Sequence, residues 1–233
     1  MPTPRPIEPP AACTSTDEAS VAHAAKPRLR GVLHQYAFLV SLVSGAALIA
    51  VAPNRLAGLV AAVYGTSLSA LLGVSALFHR VTWSVRARRW MARLDHSMIS
   101  VLIAGTYTPF GVLGLSGTLA VVLLVLVWTG AVLNIALHVL WIDAPKRLSA
   151  ATYVALGWVG VLATPDLTVH AGWTATALLF AGGVVYSLGA LVYALRRPDP
   201  APAVFGYHEV FHALVVVAAV IHYAAVAVVL VPG

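Results

Sequence analysis

Long apolar runs separated by short polar breaks dominate the chain after its first thirty residues. Seven of these runs have about the length that a helix needs to cross a hydrocarbon layer roughly 30 Å thick. They cover residues 35–52, 56–79, 94–113, 118–140, 149–165, 171–195 and 207–231. Each run is uniformly apolar and lacks the alternation of a barrel strand, so helices are the structures that satisfy its backbone. We expect an all-α integral membrane bundle of seven transmembrane helices over residues 31–233.

The first 30 residues differ from the rest of the chain in composition. They are rich in Pro, Ala, Ser and Thr and contain no run to bury, which is typical of a disordered tail. No apolar segment precedes the VAHAA sequence at 21–25, so a cleaved secretory signal is not indicated. We expect residues 1–30 to be a disordered cytoplasmic tail.

The basic residues predict the orientation of the bundle. If the seven runs alternate in direction, all but one of the 14 lysines and arginines fall on the same side of the membrane, and the exception is Arg55. Because cytoplasmic loops carry the excess of Lys and Arg, the N-terminus is expected in the cytoplasm and the C-terminus outside.

Composition narrows the function classes. With 60% hydrophobic and 9% charged residues, the chain is typical of a polytopic membrane protein and excludes a soluble enzyme. The net charge of +6 lies in short loops and does not form a nucleic-acid groove, so we expect no nucleic-acid partner. Cys13 is the single cysteine, which excludes an internal disulfide and a cysteine-based metal site.

Four ionisable residues lie at the ends of three apolar runs. The second run ends at His79, the third begins at Asp95, and the seventh begins with His208 and His212. Ionisable groups within a membrane span are costly and need partners. The predicted topology brings all four to the cytoplasmic leaflet, where a metal ion is the partner that they can share.

Helical geometry supports zinc as that ion. His208 and His212 are four residues apart, so their imidazoles project from one helix face about 6 Å apart along the axis. With His79 they supply three nitrogen ligands, and a water completes the tetrahedral site that zinc prefers. Asp95 is expected to hold that water or to orient an imidazole, and Ser75 shares the helix face of His79.

The sequence HEVFH at 208–212 also fits the H-E-x-x-H pattern of zinc proteases, in which the glutamate is the general base. Glu209 lies about 100° around the helix from His208, so it need not face the metal. Asp95 is therefore the preferred water-holding group and Glu209 the second choice.

Three ordered motifs resemble those of the hemolysin III family of the progestin and adipoQ receptor (PAQR) superfamily, which is related to the alkaline ceramidases. The motifs are SALFH at 75–79, RLDHSMISVLIAGTYTPF at 93–110 and FGYHEVFH at 205–212. The resemblance implies seven helices and a zinc ion on the cytoplasmic side of a bacterial inner membrane. By motif, it implies zinc ligation by His79, His208 and His212, with Asp95 and Ser75 beside them.

The resemblance leaves three functions open. The first is a zinc hydrolase acting on a lipid amide or ester, ceramidase-like by analogy, with membrane lipids and a sphingolipid-like lipid amide as partners. The second is a non-enzymatic protein of membrane homeostasis, in which structural zinc joins the second and seventh helices. The third is a cytolytic pore, which the scarcity of polar residues in the outer halves of the helices disfavours.

Other histidines have structural interpretations. We expect His222, about 15 Å beyond His212 along the helix, to form an interior hydrogen bond rather than share the ion. His138 forms a polar pair with Asn134, and His96 points away from Asp95. Many bacterial members carry an acidic residue near the start of the first helix; here KPRLRGVLHQY at 26–36 lacks it, which leaves the role of His34 open.

Overall fold

The computed structural model describes residues 27–231 of the chain. Eight α-helices and one 3-10 helix build this part. They are α1 (Val32–Ala50), α2 (Arg55–Arg80), α3 (Val85–Leu113), α4 (Gly117–Leu140), α5 (Lys146–Gly157), the 3-10 helix Val159–Ala163, α6 (Thr164–His170), α7 (Gly172–Leu195) and α8 (Tyr207–Leu230).

The prediction of seven membrane-spanning helices is confirmed. Seven stretches are long and apolar enough to cross a membrane, and α5, the 3-10 helix and α6 together form the fifth of them, Lys146–His170. Residues 1–26 of the predicted tail lie outside the described residues. Residues 28 and 29 donate backbone hydrogen bonds to the carbonyls of Ala203 and Val204, which ties the start of α1 to the loop before α8.

The third helix begins earlier than the apolar pattern predicts. Its first residue is Val85, preceded by Ser84, whose hydroxyl accepts a hydrogen bond from the Ala87 amide. The run from 94 onward marks only the part that is apolar enough for hydrocarbon, whereas the arginine-rich turns before it are equally helical. The polar N-terminal turns of α3 therefore extend the bundle beyond its apolar section.

The fifth span is not one regular helix. The predicted segment 149–165 is part of a longer stretch in which α5 ends at Gly157 and a 3-10 helix leads into α6. The Tyr107 hydroxyl on α3 donates to the Gly157 carbonyl at 2.5 Å and accepts from the Gly160 amide at 2.9 Å. This side chain replaces the helical hydrogen bonds that the break removes, which is the condition for irregular backbone inside a membrane.

Three helices form the centre of the bundle. In their most apolar stretches, α2, α3 and α8 have 50%, 56% and 44% of their residues buried, against 22% for α1 and α4 and 11% for α7. The outer helices expose large apolar side chains such as Val43 and Leu133, as expected where lipid is the solvent. His79, Asp95, His208 and His212 all lie on the three central helices.

Candidate metal centre

Three imidazoles converge at one end of the central helices. His79 lies in the last turn of α2, and His208 and His212 lie in the first two turns of α8. One nitrogen from each ring can be chosen so that all three lie within 4.8 Å of one another, and the Nε2 atoms of His79 and His208 are 3.2 Å apart. We refer to His79, His208 and His212 as the histidine centre.

The donor set of the histidine centre fits zinc. Zn–N distances of about 2.0–2.1 Å in a tetrahedron place ligand nitrogens roughly 3.3 Å apart. The His79 to His208 separation of 3.2 Å already matches this value, and the widest separation of 4.8 Å needs to shorten by about 1.5 Å. His79 and His212 are buried, so their lone pairs are shielded from bulk water.

Asp95 lies beside the histidine centre, as its position in the sequence predicts. Its Oδ2 atom is 3.8 Å from Nε2 of His79, and the carboxylate is 14% exposed. That distance is too long for a direct hydrogen bond but suits a bridging water. Ser75, one turn before His79 on α2, also interacts with the Asp95 carboxylate. Asp95 is therefore placed to hold a water next to a metal ion.

His34 completes the surroundings of the histidine centre, and sequence reasoning left its role open. Its ring stacks on His212 with 3.8 Å between centroids and an interplanar angle of 5°, and its Nδ1 atom lies 2.8 Å from the Ser75 hydroxyl. The stack fixes the plane of the His212 ring. The signal in the sequence was a histidine near the start of the first apolar run, but nothing in the spacing connects it to residues on α2 and α8.

Glu209 faces a different set of partners. Its carboxylate accepts a hydrogen bond from the Gly206 amide at 2.8 Å and contacts the Arg30 side chain at 2.5 Å, and the side chain is only 2% exposed. The first contact caps α8, and the second attaches the turn before α1 to the same helix. Glu209 thus holds the backbone that carries His208.

An elongated cavity of about 160 Å³ begins at the histidine centre. Asp95, His208 and His212 line one end, and Tyr186 and His222 line it farther along α7 and α8. Between them the walls are mainly apolar, with side chains such as Leu102, Phe180 and Val215. The arrangement suits a long apolar molecule with a polar group at the histidine centre.

Residues 22–223, which are most of the chain, match the model of a protein family described as "Haemolysin-III related". This chain belongs to the haemolysin III family. It is 33% identical over 153 residues to the hemolysin-3 homolog of Bacillus subtilis (strain 168), with 66% of this chain and 68% of that protein aligned. It is 34% identical over 135 residues to hemolysin-3 of Bacillus cereus, with 58% of this chain and 61% of that protein aligned.

Similarity to a receptor places this haemolysin III protein in the PAQR superfamily. The adiponectin receptor protein of Drosophila melanogaster is 32% identical over 170 residues, which cover 65% of this chain and 38% of that protein. The chain therefore spans about two thirds of the two bacterial relatives and a smaller part of the animal one. The family membership agrees with the resemblance of the three sequence motifs.

Three other histidines of this haemolysin III protein, His96, His138 and His222, make contacts away from the histidine centre. His138 Nδ1 is 2.8 Å from the Asn134 backbone carbonyl, and its Nε2 is 2.9 Å from the Tyr153 hydroxyl. His96 packs edge-on against His138, with 5.6 Å between ring centroids. His222 donates from Nε2 to the Leu179 carbonyl at 3.0 Å. The predicted polar pair and the predicted interior hydrogen bond are both present, although the partner atom of His138 is the backbone of Asn134.

Proposed function

We propose that this haemolysin III protein is a membrane-embedded zinc hydrolase that cleaves a lipid amide or ester. The observation that carries the proposal is the juxtaposition of three imidazole nitrogens within 4.8 Å, a carboxylate 3.8 Å from one of them, and a largely apolar cavity that begins there. We also infer that the protein resides in a bacterial plasma membrane, contributes to its homeostasis, and holds the ion in the cytoplasmic leaflet.

In this hydrolase the metal ligands, the proton acceptor and the lipid-binding cavity are formed by different residues. His79, His208 and His212 would hold the ion, which when bound lowers the pKa of a water to about 7 and polarises a carbonyl. Asp95 accepts the proton as the water oxygen attacks the carbonyl carbon, and returns it to the leaving nitrogen or oxygen as the C–N or C–O bond breaks. Ser75 orients the Asp95 carboxylate. The apolar cavity holds the lipid chain and keeps bulk water away from the reacting group.

The substitution Asp95→Asn tests directly whether Asp95 is the proton acceptor. The variant keeps the size of the side chain but removes the proton acceptor, so turnover of a fluorescent N-acyl sphingoid base in nanodiscs should fall by about 10²- to 10⁴-fold while bound zinc is retained. Asp143→Asn is the matched control, because this carboxylate lies on the loop after α4 and its side chain is 83% exposed. Zinc is measured by elemental analysis of the same samples.

Two results would contradict the hydrolase. Absence of turnover in the zinc-loaded wild-type protein, for amide and ester probes alike, excludes it. Equal turnover in Asp95→Asn and Asp143→Asn excludes Asp95 as the proton acceptor.

One observation favours a second candidate function, a structural zinc in a membrane-state sensor. The three histidines come from the end of α2 and the start of α8, so an ion would join two central helices. In that case a chelator should lower the stability of the bundle to unfolding, and Asp95→Asn should leave both stability and physiological function intact.

A further inference from the structure

A second polar cluster lies deep in the bundle, away from the histidine centre. Its members are Tyr186 on α7 and His222 on α8, whose rings are in contact, and Tyr64 on α2, which interacts with Tyr186; we call these three residues the deep cluster. His222 follows His212 by ten residues, which corresponds to roughly 15 Å of helix. All three residues lie within membrane-spanning helices, where polar side chains need partners.

The hydrogen bonds of His222 define what the deep cluster lacks. Its Nε2–H donates to the Leu179 carbonyl at 3.0 Å, so Nδ1 of the neutral ring carries a lone pair and can only accept. This Nδ1 atom is buried and has no hydrogen-bond partner among residues 27–231. The hydroxyls of Tyr186 and Tyr64 are likewise buried without a partner in that range.

Helix α7 is shaped to receive the imidazole. Leu179, Gly182 and Tyr186 follow one another at spacings of three and four residues, so they lie on one face of the helix. A Cβ atom at Gly182 would lie 2.1 Å from Cδ2 of His222, so only glycine leaves room for the ring there. The Tyr186 ring packs against the imidazole with 5.2 Å between centroids. The position of the His222 ring is thus fixed on two sides.

The unpartnered atoms face an energetic cost that a ligand can remove. A buried polar group without a hydrogen bond has lost its hydration without gaining a protein partner, which destabilises the folded state. Tyr186 and His222 line the cavity that begins at Asp95, His208 and His212. A long molecule that occupies this cavity from the histidine centre therefore passes the side chains of Tyr186 and His222.

We propose that the cavity binds a long-chain lipid with a hydroxyl group part-way along its chain, and that the deep cluster recognises this hydroxyl. A hydroxyl donates to Nδ1 of His222 and accepts from the Tyr186 O–H, whereas a plain hydrocarbon chain does neither and a carboxylate has no proton for Nδ1. Such a lipid would be the substrate of the proposed hydrolase. The placement of its amide or ester group at the histidine centre rests on that proposed function.

The test compares two fatty acids that differ only in this group. In 12-hydroxystearate a hydrocarbon segment of roughly 15 Å separates the carboxylate and the hydroxyl, which matches the helix length between His212 and His222. Stearate lacks the hydroxyl. Purified, zinc-loaded protein in nanodiscs should bind 12-hydroxystearate about 5- to 10-fold more tightly than stearate in a competition assay, because it gains roughly one net hydrogen bond.

Tyr186→Phe deletes a single hydroxyl and should reduce the preference to within about twofold while leaving stearate affinity unchanged. Tyr223→Phe is the matched control. Tyr223 neighbours His222, but its hydroxyl donates to the Ser44 carbonyl at 3.1 Å on the α1 side. The control should keep the full preference for the hydroxylated acid.

Equal affinities of the wild-type protein for the two acids would overturn the proposal, and this is the result expected if the deep cluster holds only water. Failure of the wild-type protein to bind either acid would overturn it as well. A preference that survives in both Tyr186→Phe and His222→Phe would overturn it too. Binding of the acids does not require turnover. If the protein prefers 12-hydroxystearate but hydrolyses no lipid amide or ester, only the proposed function is contradicted. If it hydrolyses the lipid probe but shows no preference for the hydroxylated acid, only the role of the deep cluster is contradicted.

Discussion

Tyr107→Phe should destabilise the bundle at the break in its fifth span. The substitution removes one hydroxyl and with it two hydrogen bonds, from the hydroxyl to the Gly157 carbonyl at 2.5 Å and from the Gly160 amide to the hydroxyl at 2.9 Å. The two backbone groups are three residues apart, so without the hydroxyl they either close on each other as a 3-10 hydrogen bond or stay unpaired. The Tyr107 side chain is only 5% exposed, so water cannot easily replace it.

The magnitude follows from hydrogen-bond strengths measured inside membranes. Such bonds contribute about 0.6 kcal/mol on average and up to about 1.7 kcal/mol, because the unfolded chain in a membrane also finds partners. Two lost bonds therefore predict a decrease of about 1–3 kcal/mol in the free energy of unfolding. The larger value applies if both backbone groups remain buried and unpaired.

Unfolding by sodium dodecyl sulfate in mixed micelles measures this difference, with tryptophan fluorescence as the signal. Trp158 lies within the break and its Nε1–H donates to the Ser187 hydroxyl at 2.9 Å, so its emission reports on this region. Tyr36→Phe is the control, because that side chain is 64% exposed on the outer face of α1. A change for Tyr107→Phe within about 0.5 kcal/mol of the control would show that its hydroxyl does not support the break.

Two further substitutions separate anchoring from catalysis at the histidine centre. Glu209→Gln keeps an acceptor for the Gly206 amide but loses the charge opposite Arg30. Turnover of the N-acyl probe by this variant should stay within about tenfold of wild type. If Glu209 were the general base, turnover would fall by about 10²- to 10⁴-fold. His34→Ala removes the ring stacked on His212, and zinc affinity measured by chelator competition should fall by about 10-fold or more. An unchanged affinity would show that the stack does not orient the ligand.

The apolar pattern was sufficient to predict the helices but not their irregularities. Seven runs of membrane length predict seven spans, since length and hydrophobicity are the properties that a bilayer selects. The break after Gly157 depends on the Tyr107 side chain of another helix, and no periodicity within the fifth run encodes that contact. The apolar pattern does not predict the early start of α3, because the first turns of this helix, from Val85, are polar and lie outside the apolar run.

The sequence predicts only those contacts of the candidate site that follow from residue spacing on a helix and from the direction of each span. The spacing of His208 and His212 and the alternating direction of the spans bring them to His79, and the structure places these rings together. Rotation of each helix about its axis cannot be read from one sequence. For this reason the stack of His34 on His212 emerged only from the packed structure.

The zinc content of the purified protein tests the histidine centre most directly. Protein prepared without chelator and analysed by elemental mass spectrometry should contain about one zinc ion per chain, as expected for a three-histidine site. His212→Ala should lose most of it, whereas His138→Ala should not, because the His138 ring lies with Asn134 and Tyr153 away from the histidine centre. Zinc-free wild-type protein that also fails to take up added zinc, or equal zinc in all three proteins, would contradict a metal site built from His79, His208 and His212.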